Sequence, residues 1–320
     1  MFAITAARIS PDDPVSGLEA GERPEPEPRD GWAVVDVRAA SLNHHDLWSL
    51  RGVGLDEKNL PRILGSDAAG VDEDGNEVIV HSVIGDPSTG NETLDPRRSL
   101  LSEVHEGTFA EKLLVPRRNL LPKPPELSFE EAACLPTAWL TAYSMLFGKA
   151  DLLPGSTVLV QGAGGGVAGA LIRLAAQAGH RVYATSRSEA KRERALKLGA
   201  HAAVPTGERL PERVDAVFDS VGQATWAHSI RSLKPGGAVV TCGATSGDAP
   251  PAELTRVFFL QLRVLGSTMG TRAELASLTE MCVRTGLRPE IDRVLPLDRA
   301  REGFGAMADG DLFGKIVFTL

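Results

Sequence analysis

The stretch SLNHHDLWSLRG, from Ser41 to Gly52, sets Asn43, His44, His45 and Asp46 side by side. Imidazole is a common metal ligand and titrates near neutral pH, so such a cluster suits metal binding or proton transfer; it also suits a plain polar turn. A second stretch able to do chemistry is VLVQGAGGGVAGALIRLAAQAG, an apolar strand, a glycine turn and an amphipathic helix. One G-x-G-x-x-G register takes Gly164, Gly166 and Gly169; another sets Gly162 and Gly165 at the turn with Ala168 third. In either register the backbone from Gly162 to Val167 can approach a pyrophosphate, and the amides that open the helix offer an anion site. A glycine turn can serve packing alone. Between a strand and a helix at the head of a βαβ unit, it points to a dinucleotide.

Which dinucleotide depends on the end of the next strand. A site for NAD places Asp or Glu there, about 20 residues on, to hold the ribose hydroxyls. Here RVYATS is followed by Arg187 and Ser188, and no acid stands in that place. Ser186, Arg187 and, one helical turn later, Lys191 supply donors and positive charge for a 2′-phosphate. The same residues would also suit a solvated helix start, but the missing acid counts against NAD in both readings. NADPH is the expected cofactor.

Composition narrows the remaining choices. A chain of 320 residues with 42% hydrophobic content has room for two domains and a sizeable core. Its net charge of −8, with no run of five basic residues, argues against a nucleic-acid partner. The start, MFAITAARISPDDPVSG, lacks a charged leader followed by an apolar run. The most apolar window, Ala132 to Phe147, contains a proline and is short for a membrane span. Cys134, Cys242 and Cys282 form no C-x-x-C pair, which excludes a disulfide framework and a cysteine zinc knuckle. The expectation is a cytoplasmic protein acting on a small molecule, away from membranes.

Two textures position these residues. Up to about residue 122 the chain is rich in proline, glycine and short β-like runs, WAVVDVRAASL, NEVIV and TFAEKLLVP among them. DEDGNE reads as a hairpin turn, and residues 85–107 as a long loop or small lobe. From about residue 126, strands (TVLVQG, HRVYATS, VDAVFDSVG, GAVVTCG, RVLGST) alternate with helical patterns. Such alternation means a doubly wound parallel sheet, an α/β fold. The tail ends in a strand-like run that is expected to return to the first domain.

The ordered set SLNHHDLWSLRG, LPRILGSDAAG, GTFAEKLLVP, EEAACLPTAWLTAYSML, the glycine turn, FDSVG, GSTMGT and FGKIV resembles the zinc-independent, quinone oxidoreductase-like branch of the medium-chain dehydrogenase/reductase superfamily. The resemblance covers nearly the whole chain. It implies a GroES-like β-barrel catalytic domain (1–122 and 288–320), an inserted Rossmann domain (123–287) and a homodimer. It implies cofactor contacts at Met269, Gly270 and Thr271, near the nicotinamide, and at Phe313, Gly314 and Lys315, at the edge of the site. Thr141, Val221 and Gly222 match further contacts, with strand-end packing an equal alternative. By the same matching His44 contacts the cofactor phosphate or ribose, and His45 takes the place of the hydroxyl residue in a proton relay. Asn43 and Asp46 brace the nicotinamide ribose and the turn.

In the zinc-dependent relatives, the place of Asn43 holds a cysteine and that of Ser66–Asp67 a histidine and a glutamate. Catalytic zinc needs three good protein ligands, and amide and hydroxyl oxygens are poor replacements. The 85–107 segment has no cysteine for a structural zinc, and His44 and His45, read as an extended chain, point to opposite sides. No metal is expected. Of the two tyrosines, Tyr143 reads as a helix residue and Tyr183 lies in a Rossmann strand, so a phenolic acid is disfavoured. The combined expectation is an NADPH-dependent, metal-free oxidoreductase that delivers hydride to a quinone or an α,β-unsaturated carbonyl compound. A zinc-type alcohol dehydrogenase with unusual ligands and a cofactor-binding sensor or structural protein without turnover stand as alternatives.

Overall fold

The computed structural model describes residues 1–320, the side chain of Thr89 excepted. Chain contacts divide it into two compact units, Met1–Ala138 with Met269–Leu320, and Trp139–Thr268.

The first unit opens with β1 (Phe2–Ala6), β2 (Leu18–Glu22), β3 (Trp32–Ser41), α1 (His44–Leu50), β4 (Arg62–Ile63), β5 (Asp67–Asp72) and β6 (Glu77–Val80). It continues through β7 (Val83–Ile84), β8 (Ser99–Leu100), β9 (Lys112–Pro116), β10 (Leu120–Pro122) and α2 (Phe129–Ala133). After the second unit the chain returns with α8 (Arg272–Thr285), β17 (Ile291–Pro296), α9 (Ala300–Asp309) and β18 (Lys315–Thr319). Among the described residues the main sheet runs β10-β6-β5-β3-β18-β17, with β9 also paired to β3. The closing strand β18 pairs antiparallel with β3, Val317 opposite Ser41, so the tail does return as expected.

Strand β3 shows why the sheet closes here. Ala33, Val35 and Val37 face the core while Asp36 and Arg38 face out, a period of two; from Ala39 both faces are buried. The core beneath holds Ile4, Leu50, Leu64, Phe109, Phe304 and Phe318. Phe109 meets Phe304 and Phe318 edge-on, with ring centroids 6.0 and 5.2 Å apart. The 85–107 segment is a small lobe, with β7 paired to β8 and its turns closed by Asp86, Asn91 and Asp95 side chains.

The second unit holds α3 (Leu140–Tyr143), β11 (Thr157–Val160), α4 (Gly166–Gln177), β12 (Arg181–Thr185), α5 (Glu189–Lys197), β13 (Ala202–Val204), β14 (Val214–Asp219), α6 (Gln223–Ser232), β15 (Leu233–Thr241), α7 (Leu254–Phe259) and β16 (Arg263–Gly266). The sheet order is β13-β12-β11-β14-β15-β16, and all its pairings are parallel. This is the doubly wound order. The strand sequence reverses between β11 and β14, the switch point where such sheets take their ligands.

The units meet along the sequence at 138/139 and 268/269, whereas the sequence reading places the boundaries at 122/123 and 287/288. Two helices account for the difference. α2 lies on β3 and β5, and α8 is tied to the first unit by Arg272, whose N–H donates to Glu92 Oε1 at 2.6 Å and whose guanidinium reaches Leu120 O at 2.9 Å. No helix among the described residues is long and apolar enough to cross a membrane.

Candidate active site

The glycine turn sits where the sheet order reverses. Gly165 is the N-cap of α4, and a Cβ added there would meet open space. Gly164 has φ +135, a conformation that favours glycine, and a Cβ on it would lie 2.8 Å from Lys191 Cδ. With Gly166 and Val167 opening a helix of 12 residues, the partly buried turn lies at a helix N-terminus. These features fit a pyrophosphate.

Around the turn, the structure gathers most of the second unit's expected cofactor residues. Gly162 N–H donates to Thr185 Oγ1 at 3.3 Å, at the end of β12. Ser186 follows, buried, and Arg187 is exposed. Lys191 is placed differently from the sequence expectation. Its side chain lies against the glycine turn, with Nζ 3.4 Å from where a Cβ on Gly164 would be. On the other side of the reversal, Val221 and Gly222 donate their N–H groups to Asp219 Oδ1 at 2.8 and 3.0 Å. Thr141 is buried on α3.

In the first unit, Asn43 to Asp46 do not form an extended chain. They are the first turn of helix α1, a correction with a clear cause. Asn43 caps the helix, and Asp46 Oδ2 accepts the Asn43 N–H at 2.8 Å in a capping box. Asp46 Oδ1 also accepts Gly65 N–H at 3.1 Å. Burial, reinforced by the negative charge of Asp67, pushes the Asp46 carboxyl up to about 7, against the backbone hydrogen bonds and the charge of Lys315. Both of its oxygens thus accept backbone N–H groups, which ties Asp46 to the turn. His44, the first residue of the helix, is exposed on this unit.

His45 lies half-buried, its Nε2 without a hydrogen bond and 3.8 Å from Glu103 Oε1. Burial pulls its imidazole below the ordinary histidine range, while Glu103 and Asp67 pull it up. Glu103, in the 85–107 lobe, carries no sequence signal that would have singled it out.

Behind the helix lies a fully buried cluster. Lys315 Nζ donates to Leu42 O at 2.8 Å and Asn43 Oδ1 at 2.6 Å, and stands 3.3 Å from Asp67 Oδ2. The same Asp67 oxygen accepts from Ser41 Oγ at 2.6 Å and Asn43 Nδ2 at 2.8 Å. Ser66 Oγ lies 3.2 Å from Thr137 Oγ1. Catalytic zinc at this place does not fit: Asn43 and Asp67 are occupied by an ammonium group, and Ser66 is a poor ligand. Among the described residues no group of three His, Cys, Asp or Glu side chains could hold a metal ion.

The turn after β16 completes the picture for the first unit. Met269 has φ +53 and is buried; Gly270 O takes a hydrogen bond from His81 Nε2 at 2.9 Å; Thr271 caps α8. Phe313 and Lys315 are buried, and Gly314, at φ +107, leaves no room for a Cβ against Glu290 O. Lys315 therefore offers its ammonium to this cluster and not to solvent.

Comparison with known proteins agrees with this architecture. Residues 29–125 match the alcohol dehydrogenase GroES-like domain family and residues 166–284 the zinc-binding dehydrogenase family. A crystal structure of an NAD-dependent alcohol dehydrogenase superposes with a TM-score of 0.93 at 34% identity, covering 100% of both chains. The crotonyl-CoA carboxylase/reductase of Cereibacter sphaeroides is 27% identical over 92% of this chain and 81% of its own. The acryloyl-coenzyme A reductase of Metallosphaera sedula is 28% identical over 95% of this chain and 96% of its own. With its GroES-like domain and its doubly wound Rossmann domain, the chain belongs to the medium-chain dehydrogenase/reductase superfamily.

Proposed function

We propose that this protein is an NADPH-dependent, zinc-independent oxidoreductase that reduces an α,β-unsaturated carbonyl compound or a quinone. The observation that carries the reading is the arrangement of Asn43 and Asp67 around Lys315 Nζ. Residues at the zinc-ligand places hold a lysine, which leaves no Lewis acid to lower an alcohol's pKa. A conjugated acceptor needs less help, because negative charge developing on its oxygen can be met by hydrogen-bond donors. Acryloyl and crotonyl groups, named in two of the relatives, are such acceptors.

Bound NADPH would supply the hydride. The turn Gly162–Val167 holds the pyrophosphate, Ser186 and Arg187 the 2′-phosphate, and Val221–Gly222, Thr141 and Met269–Thr271 the remaining parts of the cofactor. By the family resemblance His44 is a further cofactor contact, and Phe313–Lys315 set the backbone beside Asn43. In this reading His45 is the proton donor at the start of α1. Steady-state NADPH oxidation against a panel of enones, enoyl thioesters and quinones tests the reading. Turnover unaffected by chelator is expected; oxidation of simple alcohols that is lost with chelator would replace it with a zinc-type enzyme. Binding of NADPH with no turnover on any acceptor would make the protein a sensor.

If His45 donates the proton, its lowered basicity puts the limb of the pH–rate profile on the acid side, with turnover rising as pH falls. His45→Ala should remove that limb and lower turnover by about an order of magnitude or less, since water can deliver the proton instead. NADPH affinity should stay unchanged. A profile identical to wild type would reduce His45 to scaffold.

The protein acts as a homodimer in this reading. β16 closes one edge of the Rossmann sheet, and beside it Leu254, Phe258, Phe259 and Val264 are exposed at 70, 70, 76 and 48%. Light scattering should give twice the chain mass of 34.0 kDa, and Phe258→Asp should shift it toward the monomer. A wild-type monomer at working concentrations would refute this.

A further inference from the structure

Three turns carry the residues assigned here to the dinucleotide in the second unit: Gly162–Gly166, the end of β12, and Val221–Gly222. One buried network holds all three. Gly162 N–H donates to Thr185 Oγ1, and the Thr185 hydroxyl donates to Gln161 Oε1 at 2.6 Å. Gln161 Nε2 donates to Ser229 Oγ at 3.0 Å, and the Ser229 hydroxyl donates to Asp219 Oδ2 at 2.6 Å. Asp219 Oδ1 receives the N–H groups of Val221 and Gly222. Gln161, Thr185, Asp219 and Ser229 are all buried. At the half-buried end of the network, Gln161 Nε2 lies 2.9 Å from His228 Nδ1, and His228 Nε2 lies 2.8 Å from Glu208 O.

Counting donors and acceptors fixes the protons. The Asp219 carboxylate only accepts, so the Ser229 hydrogen goes to it and Ser229 Oγ must receive a hydrogen from Gln161. The Gln161 amide is thereby oriented with its NH2 toward Ser229 and His228 and its oxygen toward Thr185. His228 must then accept at Nδ1 and carry its hydrogen on Nε2, where a carbonyl receives it. Every bond is made only while the ring is neutral. A proton on Nδ1 would face the Gln161 NH2. Flipping the amide would relieve that clash but set its oxygen against the Ser229 oxygen, so one bond is lost either way.

We propose that His228 is a positioning residue for the dinucleotide site: neutral, it holds Gln161 and through it the three turns; protonated, it loosens them and weakens dinucleotide binding. The proposal rests on the dinucleotide reading above and is independent of the substrate. Burial holds the ring below the ordinary histidine range, while the Glu208 carbonyl and, from β14, the Asp219 carboxylate pull it up. Gln161 on the β11 side is neutral. The switch therefore works on the acid side of neutrality.

The test is NADP⁺ binding by calorimetry at about pH 8 and about pH 5, in wild type and in His228→Gln, whose amide can replace both ring contacts without taking a charge. The 2′-phosphate titrates too, but equally in both proteins, so the ratio between them isolates His228. Wild type should lose about two- to tenfold more affinity than the variant on acidification, the value of one hydrogen bond. Binding and protonation are reciprocal, so NADP⁺ should also move the His228 titration, followed by NMR, to lower pH. That second readout uses wild-type protein, with His228→Asn serving for assignment if His228→Gln fails to fold. Equal acid sensitivity in both proteins, or a His228 midpoint unmoved by NADP⁺, overturns the proposal. If neither protein binds NADP⁺ at about pH 8, the dinucleotide reading itself falls and takes the proposal with it.

Discussion

Replacing Lys315 with methionine is expected to destabilise the protein by about 3–5 kcal/mol, the range for breaking one side of a buried ion pair. Lys315 is 2% exposed and Asp67 is 0%, and the Asp67 Oδ1 atom already has no hydrogen-bond partner. Without the ammonium, the Asp67 charge keeps only the Ser41 and Asn43 donors, deep in a medium that screens poorly. Leu42 O and Asn43 Oδ1 lose their donor as well. The charge is the dominant part, which a second substitution can show. Asp67→Asn in the Lys315→Met background removes the stranded charge. It can still accept from Ser41 and Asn43 through its amide oxygen, with the NH2 at the place of the orphaned Oδ1. The double variant should therefore recover a large part of the lost stability, as non-additivity requires for two residues in contact. Urea unfolding at neutral pH measures both. A loss under about 1 kcal/mol for Lys315→Met, or a double variant no more stable than the single one, would show that the pair acts like an exposed one.

That cluster also shows where a sequence stops being readable. Lys315 and Asp67 are 248 residues apart, and no local pattern links them. Their partnership exists because β18 comes back to lie on β3, whose other neighbour is β5, and such a closure is set by the whole core. By contrast, the strand–turn–helix at Gly162–Gly166 is legible because the hydrophobic period changes from two to 3.6 across the glycines, a local event. The short turn of α1 lies between these cases. Asn43 and Asp46 stand three apart, as in a capping box, yet the two histidines between them draw attention to metal and proton chemistry. Reading the spacing as a cap would have made the segment a helix. The contact division draws the helices α2 and α8 into the first unit, beyond the boundaries read from the sequence, for a related reason. Periodicity tells that a helix has a buried face, and only the tertiary structure tells which sheet it covers. His228 and Gln161 carried no signal at all, since a buried polar network is a list of distances and not of spacings.

Arg187→Ala is expected to weaken NADPH binding by about ten- to a hundredfold while changing NADH binding little, since a charge-assisted hydrogen bond is worth about 1.5–3 kcal/mol. The 2′-phosphate brings roughly two negative charges, which must trade water for protein donors. Arg187 is exposed at the end of β12, with the Ser186 hydroxyl behind it, and no acid stands in the place that would hold a ribose 2′-hydroxyl. Its planar fork suits a phosphate. Lys191 carries the same sign of charge, but its position predicts a different outcome. Its side chain lies over Gly164, against the glycine turn, so its ammonium is expected to serve the pyrophosphate that NADH and NADPH share. Lys191→Ala should thus weaken both cofactors to a similar degree and leave their ratio nearly unchanged. Salt adds an independent check: raising ionic strength should weaken NADPH more than NADH in wild type, and this difference should shrink in Arg187→Ala. Fluorescence titration of both cofactors against the three proteins supplies the numbers. Wild type binding NADH as tightly as NADPH would sink the NADPH assignment. Arg187→Ala weakening both equally would move the 2′-phosphate contact elsewhere, with Arg192, whose guanidinium donates to Ser186 O at 2.9 Å, the next residue to replace.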